Sequence, residues 1–137
     1  MTTFVDTNVL LYLLNENEEF HDWAKKAIEE RKNHGPLIIC DIVYSEFSVG
    51  MQSVDETNQA VAELALERLR FSNEALFYAG RAYKEHKRRG GTRSNVLADF
   101  LIGAQAELED APLITNNAKD YNSYFPKVSL IQPPKSA

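Results

Sequence analysis

Short runs of β-prone apolar residues alternate along this chain with longer segments whose apolar residues recur at helical spacing, and that alternation most narrows what it can fold into. Thr2 to Val5 reads as a strand, Asp6-Thr7-Asn8 as a polar turn, and Val9, Leu10, Leu11, Leu13 and Leu14 as the start of a helix. From Glu18 onward, Phe20, Trp23, Ala24, Ala27, Ile28 and Arg31 fall at i, i+3, i+4, i+7, i+8 and i+11. That spacing predicts a helix burying one face until Gly35-Pro36 breaks it. Leu37 to Cys40 is a second strand, and Asp41 is placed to cap a helix over Ile42 to Gly50. A further helix from near Asp55 would bury Val61, Leu64, Ala65 and Leu69, with a short strand over Leu69 to Ser72. Asn73 can cap the next helix, which runs to about Arg89 and stops at Gly90-Gly91. A helix over Ser94 to Glu109, a strand at Leu113 to Thr115, a helical turn around Ala118 to Tyr124 and a strand at Val128 to Ile131 complete the pattern. Parallel strands need crossover helices, so the expected class is α/β with a mostly parallel sheet.

With 137 residues, the chain is long enough for one domain with one core, expected over residues 1–132 with a short tail at 133–137. Hydrophobic residues make up 44% and charged residues 26%, as in soluble globular proteins. A formal charge of −5 argues against a general basic field that would coat nucleic acid or anionic membrane, so any nucleic acid contact is expected to be local. The single cysteine, Cys40, excludes an intramolecular disulfide and a cysteine-cluster metal site, and it fits a reducing compartment. No segment is long and apolar enough to span a bilayer, and no Lys or Arg precedes Lys25, unlike a secretory signal. The expected location is the cytoplasm, without membrane contact.

Three acids stand out by their surroundings. Asp6 is the only charged residue in Met1 to Asn15, Glu46 the only one in Ile42 to Val54, and Asp99 the only one in Ser94 to Ala106. Each segment otherwise suits a core, and an isolated ionised carboxylate in a low dielectric has to be neutralised, paired, hydrogen-bonded or bound to a cation. Each acid has a structural explanation too. Asp6 could cap the helix that follows it, Glu46 could sit on the exposed side of a half-buried helix, and Asp99 is the hardest to place that way because apolar residues flank it on nearly every side. Together the three point to a shared divalent cation. Oxygen donors with few histidines nearby suit Mg²⁺ or Mn²⁺, ions that keep waters and engage phosphates, so the implied chemistry is phosphoryl transfer. In open α/β sheets, ligands bind beyond the carboxyl ends of strands, where Asp6 and Thr115 would fall.

Phe4-Val5-Asp6-Thr7-Asn8-Val9-Leu10, Ser45-Glu46-Phe47, Asn95 through Ala104, Leu113 through Asn117, Asp120-Tyr121 and Tyr124-Phe125-Pro126 together resemble the PIN-domain ribonucleases, and within them the VapC-like toxins of type II toxin–antitoxin pairs. The stretches occur in family order and cover almost the whole chain. The resemblance implies a Rossmann-like, three-layer α/β/α fold and a Mg²⁺- or Mn²⁺-dependent endoribonuclease. It implies metal ligation by Asp6 and Asp99. Glu46 would ligate directly or through water, or help deprotonate the attacking water. Asn8 and Thr115 match supporting polar positions. The fourth acidic position is neutral here, Asn117, so a second ion would be held less tightly, and Asp120 three residues on could partly compensate. The resemblance also implies a small VapB-like antitoxin partner and a homodimer, which the apolar helices near Leu10 to Leu14 or Val61 to Leu69 could support.

Lys84, Lys87, Arg88, Arg89 and Arg93 form a local basic strip ahead of the Asp99 segment. Lys87, Arg88, Arg89 and Arg93 are candidate phosphate contacts for RNA, although bases at a helix C-terminus also complement its dipole. Three competing readings stay open: a PIN nuclease of RNA processing rather than a toxin, a catalytically weakened scaffold that binds RNA or a partner, and an unrelated phosphohydrolase with Asp6 as covalent nucleophile. The last usually wants an acid two residues on, where Asn8 stands.

Overall fold

The computed structural model describes residues 1–91 and 97–134. Its elements are, in chain order, β1 (Thr3–Val5), α1 (Thr7–Leu13), α2 (His21–Lys32), β2 (Leu37–Cys40), α3 (Asp41–Phe47), a 3₁₀ turn (Ser48–Gly50), α4 (Val54–Glu63), β3 (Leu66–Leu69), α5 (Asn73–Arg88), α6 (Leu97–Leu108), β4 (Leu113–Ile114), α7 (Ala118–Asn122) and β5 (Leu130–Ile131). The strands form one sheet in the order β3-β2-β1-β4-β5, and every pairing is parallel. Each residue of β1 and β2 is buried. Successive strand side chains point to opposite faces, so helices cover both faces of the sheet and the layers are α/β/α. No helix among the described residues is long and apolar enough to cross a membrane.

The chain departs from the sequence expectation at several element ends, each for a local reason. Asp6 caps α1, one of the two roles its position allowed, and the helix opens at Thr7 rather than after the polar turn. Asp41 lies inside the first turn of α3, whose cap is Cys40, and Ser72 rather than Asn73 caps α5 by accepting a hydrogen bond from the Ala75 amide at 3.1 Å. The larger correction concerns residues 64–72. Helix α4 ends at Glu63, Ala65 adopts a left-handed φ of 55°, and Leu66–Leu69 becomes strand β3 instead of the end of a helix. Glu67 and Arg68 interrupt its apolar pattern because β3 is an edge strand, paired only with β2, and both side chains are exposed. The last strand and the α7 turn are each shorter than expected.

Strand order reverses at β1: the chain passes from β1 to β2 and β3 on one side, then returns through α5 and α6 to β4 on the other. Such a switch point opens a crevice beyond the strand ends. Helix α6 packs against α5 and α7. Gly103 makes the α7 side possible, since a Cβ there would stand 2.5 Å from Cδ2 of the buried Phe125. Gly103→Ala should therefore overpack this seam and lower the unfolding free energy by about 1–3 kcal/mol, measured by urea denaturation.

Candidate active site

Strand β1 ends at Val5 and β4 at Ile114, which are register partners, so Asp6 and Thr115 emerge side by side at the switch point. The Thr115 hydroxyl donates to Asp6 Oδ2 at 2.8 Å and in turn accepts from the Asn117 amide N–H at 3.0 Å. A second donor, the Tyr121 hydroxyl from α7, reaches the same Oδ2 at 3.2 Å. The other oxygen, Oδ1, accepts from the Thr7 amide at 2.8 Å as the cap of α1. Capping and a place in a polar site are thus two uses of one side chain. Thr7 also turns its hydroxyl to Glu46 Oε1 at 2.8 Å, tying α3 to the start of α1.

These contacts shape a cleft of about 180 Å³ lined by Asp6, Thr7, Asn8, Glu46, Ala98, Asp99 and Asn117. The structure brings together five residues singled out in the sequence, Asp6, Asn8, Glu46, Asp99 and Asn117, with Thr115 supporting Asp6 from below the surface. It corrects one premise. Only Asp6 is a buried acid, at 5% exposure, whereas Asp99 is half-buried and Glu46 is exposed at the cleft rim, between the buried Val43 and Phe47 of its helix. Asn117 donates its amide to Asp120 Oδ2 at 2.6 Å, so Asp120 does meet Asn117, but it does not itself line the cleft. Thr7 and Tyr121 had no role assigned from sequence. Tyr121 lies 115 residues from its partner, and nothing local to either residue signals that bond.

The described part of the basic strip, Lys84, Lys87, Arg88 and Arg89, is not part of the cleft lining. Arg88 and Arg89 both engage Glu85, and hydrogen bonding from Arg88, joined by Arg89, pulls the Glu85 carboxyl down to about 2. Arg89 also lies over the Tyr124 ring, 5.1 Å from its centroid, and Lys87 over that of Tyr83 at 5.6 Å. Arg93 lies outside the described residues, as do Asn95 and Val96.

Among the described residues, none that lines the cleft is basic. Burial raises the Asp6 carboxyl above its ordinary value, three hydrogen bonds from Thr115, Thr7 and Tyr121 pull it back, and repulsion from Glu46 raises it further. Removing such an ion from water costs several kcal/mol. Hydrogen bonds to a charged group return about 1.5–3 kcal/mol each. The shift stays upward, so the donors do not fully offset the burial. Tyr121 is held well above its usual value, chiefly by burial and then by Asp6 and Asp99, and it remains a neutral donor. Among the described residues no group of three or more His, Cys, Asp and Glu side chains makes a ready-made metal cage. Among the described residues, the polar groups facing the cleft are carboxylates, side-chain amides and a hydroxyl, with no His or Cys. That donor set fits a hard divalent cation that keeps most of its waters and takes one or two carboxylates.

The family model for the PIN domain matches residues 3–125. The chain is a member of the PIN-domain family. Among curated proteins, this PIN domain is 29% identical over 126 residues to ribonuclease VapC2 of Rickettsia felis, covering 88% of this chain and 90% of the relative. It is 28% identical over 130 residues to ribonuclease VapC10 of Mycobacterium tuberculosis, covering 95% and 90%. Among solved structures, it superimposes on the crystal structure of VapBC2 from Rickettsia felis bound to a DNA fragment from their promoter, with a TM-score of 0.70, 28% identity, and coverage of 96% of this chain and 98% of that one.

A raised carboxyl pKa has a definite signature in stability. Between the unfolded value of Asp6 and its higher folded value, the folded protein binds more protons, so stability is greatest in acid and falls as pH rises through that window. Without divalent cations, urea denaturation should show wild type losing stability relative to Asp6→Asn as pH rises above the ordinary carboxylate range.

Proposed function

We propose that this PIN domain is a Mg²⁺- or Mn²⁺-dependent endoribonuclease and the toxin of a type II toxin–antitoxin pair. The observation that carries the reading is the convergence of Asp6, Glu46, Asp99 and Asn117 on one cleft at the sheet's switch point, in a chain aligned over most of its length with two VapC ribonucleases. When bound, the ion supplies charge neutralisation on the scissile phosphate and acidifies a coordinated water. Asp6 and Asp99 are its direct protein ligands. Asp6 is held in place by three donors, which fixes where the phosphate is presented. Glu46 keeps Oε1 on the Thr7 hydroxyl and has Oε2 to receive the proton of the attacking water. Asn8, exposed on the first turn of α1, is placed to hydrogen-bond the phosphate, and Asn117 offers an uncharged contact where an acid would bind a second ion. The site therefore favours one firmly held cation.

Partners follow from the same reading. A small VapB-like antitoxin is the expected regulator, since the matched Rickettsia felis structure is a VapBC2 assembly. A homodimer is the expected form, and Leu11 and Leu14 leave apolar surface on and just after α1, at 38% and 53% exposure, for a protein contact. The neutral Asn117 is the one feature that favours a second reading, a PIN scaffold that binds RNA without cutting it.

The purified protein should cleave a single-stranded RNA oligonucleotide in Mg²⁺ or Mn²⁺ and lose that activity in excess EDTA. Asp99→Asn should reduce cleavage at least about a hundredfold, the scale of losing a direct contact to developing charge. Equal cleavage in EDTA would refute the metal dependence, and RNA binding without cleavage would establish the scaffold.

A further inference from the structure

Asp6 does not offer its two oxygens equally. A carboxylate oxygen accepts along two lone-pair directions. Among the described residues, Oδ2 receives both Thr115, at 2.8 Å, and Tyr121, at 3.2 Å, whereas Oδ1 receives the Thr7 amide alone. Tyr121 is 0% exposed. Its backbone carbonyl accepts from the amides of Phe125, at 2.7 Å, and Tyr124, at 3.2 Å, and Phe125 is locked against Gly103 of the helix that carries Asp99. The ring is thus fixed by packing, and a phenylalanine would fill the same space. The hydroxyl adds one thing, a bond to the buried carboxylate.

We propose that Tyr121 is a positioning residue of this site: its hydroxyl, with that of Thr115, fills Oδ2 of Asp6 and leaves one lone pair of Oδ1 as the single point at which Asp6 can take a cation. Asp6 would then offer a cation one oxygen, with the carboxylate plane set by three elements, α1, the end of β4, and α7. Without the Tyr121 hydroxyl, Oδ2 regains a free lone pair, the carboxylate can turn about its last bond, and the ion's place is no longer unique. The inference rests on the metal-dependent reading above.

Calorimetric titration of the full chain with Mn²⁺ tests it, with kcat and KM for an RNA oligonucleotide measured at saturating Mn²⁺. Tyr121→Phe should weaken Mn²⁺ binding about tenfold, the scale for losing an outer-shell partner of a metal ligand. It should also lower kcat with KM for RNA unchanged. Leu66→Ala, which removes buried packing at the start of edge strand β3 and lines no part of the cleft, should lower Tm and leave Mn²⁺ affinity as in wild type. Wild-type affinity in Tyr121→Phe would overturn the proposal, as would an equal loss of affinity in both variants, which would mark Tyr121 as structural only. If wild type itself binds no Mn²⁺, the metal-dependent reading fails and this inference fails with it.

Discussion

The buried carboxylate of Asp6 is the constraint on which the rest of the site depends. An anion at 5% exposure is tolerated at the end of β1 only because an amide, a hydroxyl and a phenol from three separate elements converge on it. That convergence requires β4 to lie beside β1, α7 to follow β4 closely, and α1 to begin at the next residue. A parallel sheet with its switch point at β1 meets all three requirements at once.

Around this fixed point the other acids are held with decreasing burial. Asp99 is half-buried near the start of α6, and Glu46 is exposed but tethered through Thr7. The gradient suits a site that has to grip an ion on one side and admit a phosphate and water on the other. It also fits the lack of a ready-made cage among the described residues: much of a hydrated ion's coordination would come from water and substrate. On the proposed function, the acidic cleft and the net charge of −5 would be less of an obstacle to binding RNA than the formal count suggests, because a bound cation would offset charge where the phosphate arrives.

Much of this was legible in the chain. The strand, polar turn and helix at Thr2 to Leu14 follow from patterning, and Asp6, Glu46 and Asp99 stand out because each is the lone charge of an apolar segment. Patterning alone does not say which way a side chain faces: Glu46 does sit on the exposed side of a half-buried helix, at the cleft rim, while Asp99, flanked by apolar residues on nearly every side, is only half-buried. The α4–β3 boundary was hidden because Leu64, Ala65 and Leu69 fit a helical stripe, while the break rests on a left-handed Ala65 that has no glycine to announce it. Thr7 and Tyr121 were passed over for a different reason: their importance lies in partners 39 and 115 residues away, which only the assembled sheet brings near. The basic strip is visible as charge, but the pairing of Arg88 and Arg89 with Glu85, outside the cleft lining, is not.

The central claim is that this cleft holds a divalent cation on Asp6. Anomalous diffraction from crystals of the protein soaked in Mn²⁺ tests it most directly. The account predicts one strong Mn²⁺ peak in the cleft, bonded to Oδ1 of Asp6 with Oδ2 still on Thr115 and Tyr121, and it predicts loss of that peak in Asp6→Asn. A cleft without Mn²⁺ at saturating concentration, or an ion bound there with no bond to Asp6, would contradict it.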